Sequence, residues 1–267
     1  MKILIHKLLP ALTGIALLFL PACSKTVHFQ EPPEVVNGCR IESFTAYTQD
    51  GESSSPSVSL SFTYNAAGNP LKIITSASVP NSQYDYHFRY DGFGRLTDFI
   101  INYPGEPGAV IWHRYSYPNR KTIVDTTYGY VGLIDGPPPT YSFDIYVDIY
   151  HLDDKDRIIS DNDTHFQYDR NGNLVRSGVT YDNKVNLFRT NAVWLLINKD
   201  FSLNNPLNGI PNGPPPLLIT GYNSERLPLG FILAPGSSFA TSLSDRLLFF
   251  FTNLKIGYSC DSHNPHK

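Results

Sequence analysis

The sequence predicts an all-β protein: a repetitive antiparallel β-hairpin meander forming a curled sheet or open barrel. Three observations point there. Several segments alternate apolar and polar residues with period two, and one short turn motif recurs along the chain. The third is composition: 17 Tyr and 16 Phe in 267 residues favour pleated, half-buried surfaces.

The alternation is clearest in "VSLSFTY" (58–64), where Val, Leu, Phe and Tyr alternate with Ser, Ser and Thr. Such a strand buries one face and wets the other. "YDYHFRY" (84–90) sets Tyr, Tyr, Phe and Tyr against Asp, His and Arg. "YSFDIYVDIY" (141–150) reads as a third strand with small irregularities. No segment in this half of the chain has a 3.6-residue period.

The turns come from "TYNAAGNP" (63–70), "RYDGFGRL" (89–96) and "QYDRNGNL" (167–174). Each carries an aromatic, Asn or Asp, two free residues, Gly, a polar residue, and Leu or Pro. A type I turn favours Asp or Asn first, because that side chain bonds nearby backbone N–H groups. A left-handed residue at the fourth position closes a bulged hairpin, and Gly takes it without steric penalty. The turn pairs are therefore Asn65 with Gly68, Asp91 with Gly94 and Asp169 with Gly172. Three degenerate copies follow. "HLDDKDRI" (151–158) has Asp156 in the Gly slot, which tolerates the conformation. "TYDNKVNL" (180–187) has Val185, which does not, so that turn must differ. "GYNSERLP" (221–228) has Arg226 and is expected to be altered as well. Repeated hairpins read as a sheet whose units bury their faces against neighbours.

One continuous apolar run, "NAVWLLINK" (191–199), is a short helix or a buried strand by periodicity alone. A short helix or plug near 188–200 is the expectation. The Pro-rich stretches 136–140 and 211–218 are expected loops, since Pro cannot donate into a central ladder. "FILA" (231–234), "DRLLFFFTNL" (245–254) and "KIGYSC" (255–260) finish the sheet, and "LFFF" (248–251) needs a cover on its outer face.

The first residues combine Lys2 and Lys7, an apolar run from Leu8 to Leu20, and Leu20-Pro21-Ala22-Cys23. The run is a secretory signal, too short for a membrane span. Its end resembles the bacterial lipobox, with Pro21 an unusual occupant. That resemblance implies cleavage before Cys23 and lipidation there, anchoring the mature chain to a membrane; an ordinary signal peptide with an incidental Cys is the alternative. The expected organisation is a signal peptide over 1–22, a tether over 23–38, one β domain over 39–260 and a tail over 261–267. Cys39 and Cys260 then remain, in an oxidising compartment where thiols pair. A disulfide between them would staple the first strand to the last and stabilise by about 4–5 kcal/mol in the chain-entropy model. Two separate free cysteines are the alternative.

The Y-D-x-x-G-x-L core resembles the YD repeats of RHS-type proteins, which build long curling sheets. "YDNKVNLFRTNAVWLLINKDFSLNNP" (181–206), "YNSERLP" (222–228) and the final "YSC" (258–260), taken with the lipobox, resemble cell-envelope lipoproteins of Bacteroidota-type bacteria. Asn186-Leu187-Phe188 stands where that group has Asn-Pro-Phe, so the local turn is expected to differ. The resemblance implies a β-rich envelope lipoprotein, and it brings no established activity. Ser24 after Cys23 fits outer-membrane sorting by analogy.

No G-x-S-x-G, S-x-x-K, H-E-x-x-H, Walker A or G-x-G-x-x-G motif occurs in the chain. "DDKD" (153–156) and "DNDTH" (161–165) offer oxygens to Ca²⁺ but lack the spacing and Gly of an EF-hand loop, so turn use is the simpler reading. His87, His113, His151 and His165 fall on or beside strands, where solvent exposure is expected ahead of metal ligation. Trp194 is expected in the core, and so is Trp112, with sugar stacking as the rival role. Charged residues make up 17% and the net charge is −3, which argues against a nucleic-acid partner. No metal or cofactor is expected. The expected function is a non-catalytic binding or structural module at the envelope, facing a glycan or a protein partner. The rivals are an envelope hydrolase whose acids the sequence does not single out, and a shell or scaffold component.

Overall fold

A computed structural model describes residues 38–47, 56–76, 84–130, 132–142, 144–162, 164–207, 217–233 and 253–260. All of them belong to one compact unit, Glu31–Lys267. Cys23, the tether to residue 37 and "LFFF" (248–251) lie outside the described residues, as does 211–216.

The described residues form one antiparallel sheet of thirteen strands. β1 (Cys39–Tyr47), β2 (Pro56–Tyr64), β3 (Pro70–Thr75), β4 (Asp85–Tyr90) and β5 (Leu96–Asn102) are followed by β6 (Ala109–Asn119), β7 (Thr122–Gly129), β8 (Ile145–Leu152), β9 (Ile158–Asp161) and β10 (Thr164–His165). These ten pair in sequence order. β13 (Asn253–Cys260) then pairs with β1, and β12 (Gly230–Leu233) and β11 (Leu217–Ile219) continue beyond it. Among the described residues the sheet does not close, and β10 and β11 are its edges. Part of the Pro-rich 211–218 stretch expected as a loop is therefore strand, at Leu217 and Leu218. Cys39 lies opposite Cys260 in the β1–β13 register, and the two form a disulfide.

Five turns share one set of bonds. The fourth residue donates its N–H to the carbonyl of the leading Asn or Asp at 2.9–3.1 Å, in the turns led by Asn65, Asp91, Asp153, Asp169 and Asn223. The leading side chain accepts the N–H of the residue four positions on in all five. The fourth residues are left-handed: Gly68, Gly94, Asp156, Gly172 and Arg226 have φ of +82°, +77°, +55°, +79° and +66°. Arg226 thus makes the ordinary turn, contrary to expectation, because the Asn223 side chain and the Tyr222–Pro228 bridge hold the backbone there. Val185 is not among the left-handed residues, and its segment pairs elsewhere through Asp182 N–H to Asn205 O at 3.0 Å. At Asp91 burial raises the pKa, but N–H groups of Arg95 and Phe93 and the Arg95 guanidinium outweigh it and hold the carboxyl below its usual range. Asp153 is lowered in the same way by Arg157 and Lys155.

A tyrosine spine joins turn to turn. Tyr90, Tyr117, Tyr168, Tyr181 and Tyr258 donate their hydroxyls to the carbonyls of Pro70, Leu96, Ile158, Leu174 and Pro228 at 2.6–3.1 Å. Each acceptor is the apolar residue that ends an earlier copy of the turn. Arg95 and Arg157, one residue beyond the left-handed position, lie 4.4 and 4.0 Å from the ring centroids of Tyr117 and Tyr168. The motif's tyrosine is therefore a link between repeats, beyond its role beside a turn.

The inner face is covered by a plug: a 3-10 turn at Leu187–Thr190 and the helix α1 (Ala192–Asn198). The run of six apolar residues in seven suits a helix that buries most of its circumference. Asn191 caps its start by accepting the Val193 N–H at 2.9 Å. Trp194 meets Phe62 and Phe88 edge-on, with centroids 5.8 and 5.6 Å away. Ile41, Phe44, Leu60, Ile73, Tyr86 and Phe99 complete this core from the sheet. An Asx-rich frame holds the plug: Asn205 accepts from Leu187 N and donates to Val185 O and Asp182. Asn186 caps the 3-10 turn and donates to Asn204 O, and Asn191 reaches Gly68 O in the first turn. Side-chain amides here replace a strand ladder.

The outer face is not uniformly wet, which corrects the expectation for "YDYHFRY". Asp85 and His87 are buried. A strap over 132–142 crosses this region, and Arg89 donates to its carbonyls at Ile134 and at Gly136, the latter at 2.8 Å. Trp112 is fully buried here in a small second cluster with Ile100 and Ala109, against Ile134 and Tyr128. Exposure, expected for four histidines, holds for His151 and His165 and fails for His87 and His113. Alternation marks which face a residue is on, while coverage decides whether it meets water. The expected strand over 141–150 begins at Ile145, and its Ile145, Val147 and Ile149 are exposed.

Candidate functional site

At one end of the plug Trp194 meets Phe62 of β2 and Phe88 of β4; at the other Lys199 meets Asp161 of β9 and Tyr150 of β8. At this second end the inward residues turn polar, and strand register sets their places. Phe99, His113, Thr127 and Tyr146 are successive partners across β5–β8. Tyr115, Asp125 and Asp148 form the next row, and Ile123, Tyr150 and Asp161 the one after. Period two puts Tyr146, Asp148 and Tyr150 on one face of β8.

These side chains form one network. His113 is stacked between Phe99 and Tyr115. Its Nδ1 lies 3.1 Å from Asp125 Oδ1 and 2.8 Å from Thr127 Oγ1. Tyr150 donates its hydroxyl to Asp125 at 2.9 Å and also lies 3.3 Å from Asp148 Oδ2. Lys199, just past the helix end, bonds Asp161, lies 3.7 Å from Asp148, and sits 4.8 Å from the Tyr150 ring centroid. Asn162 donates to Asp148 at 3.1 Å. Lys199 takes φ of +53°, a conformation that costs energy for a residue with a Cβ. It ends the helix and aims the ammonium at the carboxylates.

The network grades from dry to wet. Asp125 is fully buried, Asp148, Asp161 and Lys199 are half-buried, and Tyr146 is 66% exposed. Three carboxylates face one ammonium and one imidazole, so the site has acceptors in excess. Asp125, His113 and Thr127 do not form a nucleophilic relay with one another. In such a relay the carboxylate and the hydroxyl occupy opposite ring nitrogens, whereas Asp125 and Thr127 share Nδ1 of His113.

The residues singled out from sequence fall mostly elsewhere. Asn65, Gly68, Asp91, Gly94, Asp169 and Gly172 lie at hairpin ends, and Cys39 and Cys260 lie on β1 and β13. Trp112 is on the other face. His113 and Asp161 do join the network, one noted as a strand histidine and the other within "DNDTH". Asp125, Asp148, Tyr146 and Lys199 were not singled out; "YVDIY" held a trace of them, as three residues two apart. Among the described residues no group of three or more His, Cys, Asp or Glu is placed to hold a metal ion. No protein-family model matches this sequence, and comparison with curated proteins gives no significant match.

Proposed function

We propose that the protein is a lipid-anchored cell-envelope module, attached through Cys23 at the outer membrane, that binds a glycan without chemical turnover. Its contact surface is the wet end of the inner face. The observation that carries this reading is Tyr146, an exposed aromatic ring beside a network of acids, an ammonium and an amide already fixed by one another. Sugars are held by such pairs: an aromatic face for their C–H surface and fixed polar groups for their hydroxyls. The shared nitrogen of His113 supports binding ahead of hydrolysis, and the side-chain-filled inner face argues against a hollow shell component. A protein partner is the second reading, favoured by exposed Ile145, Val147 and Ile149 on the opposite face of β8.

The mature chain from Ser24, applied to a glycan array, is expected to retain a discrete set of glycans. Tyr146→Ala should weaken that retention about tenfold, equivalent to about 1.4 kcal/mol, with an unchanged melting temperature. Retention that survives the substitution removes Tyr146 from the site. An Ile149→Asp variant that loses a protein partner, with no glycan retained, supports the second reading instead.

A further inference from the structure

We propose that the strap over residues 132–142 is an acid-released cover, opened by protonation of His87, which then bares Trp112 and Arg89. The strap is held in its middle by the Arg89 guanidinium on Ile134 O and Gly136 O, and near its start by Ile134 N–H to Pro107 O at 2.8 Å and Ala109 N–H to Gly132 O at 3.2 Å. Beneath it lie Trp112, whose indole N–H donates to Asp98 at 2.8 Å, and Arg89, whose guanidinium is 4.9 Å from the Trp112 ring centroid. Leu133 also bridges to Gly108, and Ser142 Oγ donates to Gly129 O at 2.8 Å near the strap's end; its Ile134 packs on the small Trp112 cluster, whereas the plug packs on the large one.

His87 is the titrating group in this layer. It is 9% exposed, and its Nε2 has no hydrogen-bond partner. Asn102, 1% exposed, has an equally unpartnered Oδ1; it lies close to His87 without hydrogen-bond geometry. His87 and Asn102 are thus buried side by side on the face that the strap crosses, with Asp135 of the strap near the imidazole, and opening would hydrate both. The charged groups around His87 come from each neighbouring element. Lys72 of β3 stands directly opposite, Asp85 and Arg89 flank it on β4, Asp98 belongs to β5, and Asp135 to the strap. Burial first, then the Lys72 cation, push the imidazole below its usual 6.5, against weaker upward pulls from Asn102, Asp85 and Asp135.

Linkage gives the direction. The closed form binds a proton less readily than an opened, hydrated one, so its stability is complete above about pH 6.5 and falls as pH drops below that value. The population ratio changes by at most about tenfold per pH unit for one such group.

Hydrogen exchange read by mass spectrometry, corrected for intrinsic rates, tests the idea on the whole mature chain. Between pH 7.5 and 5.0 the 132–142 peptides are expected to exchange several-fold faster, while β1–β2 peptides stay unchanged. His87→Gln should remove this dependence, and Lys72→Met should weaken it. A strap that exchanges alike at both pH values overturns the proposal, as does a dependence that persists in His87→Gln. If His87→Gln fails to fold, Lys72→Met decides alone, and an unaltered acid response sinks the proposal.

Discussion

The two ends of the inner face begin from the same alternating pattern and finish with different surfaces. Over β2–β5 the inward residues are Phe62, Tyr86, Phe88 and Phe99, and Trp194 of the plug lies on Phe62 and Phe88. Over β7–β8 the inward residues are Asp125, Thr127, Tyr146 and Asp148 beside the core residues Ile123 and Tyr150, and Lys199 at the plug's end meets the acids. One end is closed by dispersion and apolar burial; the other by a few directional bonds. A helix of seven residues spans about 10 Å, roughly two strand spacings, so it cannot cover both. The end beyond the helix carries acids, grading from buried Asp125 to exposed Tyr146.

Alkali should have the largest effect, and it tests whether the two ends fold as one unit. Tyr90, Tyr117, Tyr168, Tyr181 and Tyr258 form the spine, and burial raises each hydroxyl above the usual 10.0. The folded form thus keeps protons that the unfolded form loses. Stability is complete below pH 10 and is lost as pH rises above it, by up to about 1.4 kcal/mol per tyrosine per pH unit. Circular dichroism and tyrosinate absorbance should change together in one cooperative step. Tyrosine ionisation near pH 10 with unchanged dichroism would mean the spine hydroxyls are open to water.

Trp194→Ala acts on the covered end alone. Removing a fully buried indole costs about 3–5 kcal/mol, read as a lower denaturation midpoint in urea. A loss under 1 kcal/mol would show that the plug is not what closes this end.

The smallest effect separates turns that touch the plug's frame from turns that do not. A Cβ at Gly172 would sit 2.9 Å from Leu203, whereas at Gly94 its nearest neighbour is Asn69 at 3.8 Å. Both glycines are left-handed, so Gly172→Val and Gly94→Val each carry about 1–3 kcal/mol of strain. Gly172→Val adds overpacking of a similar size. Equal melting temperatures for the two variants would show that Leu203 yields without cost.

Much of the fold is legible because its signals are local. Asp91 and Gly94 are three residues apart and make their turn by themselves, so their types announce it. Arg226 hid the same turn, because Asn223 and the Tyr222–Pro228 bridge pay a backbone cost that residue type cannot show. The cysteine pair was legible because few cysteines leave few pairings. The candidate site was not: Asp125, Asp148, Asp161 and Lys199 are ordinary charged residues in ordinary turn-rich surroundings. Their meeting depends on how β7, β8 and β9 register and on where the helix ends.

The sequence by itself determined the alternation, the turns and the repeat, and with them an antiparallel sheet of hairpins. Those depend on neighbours within a few residues, through pleat, left-handed glycine and Asx hydrogen bonds. Tertiary structure decided which faces are covered: Trp194 sealing one end, the strap hiding His87 and Trp112, and Tyr146 left in water. Coverage depends on segments distant in sequence arriving at one place, and no local pattern records it.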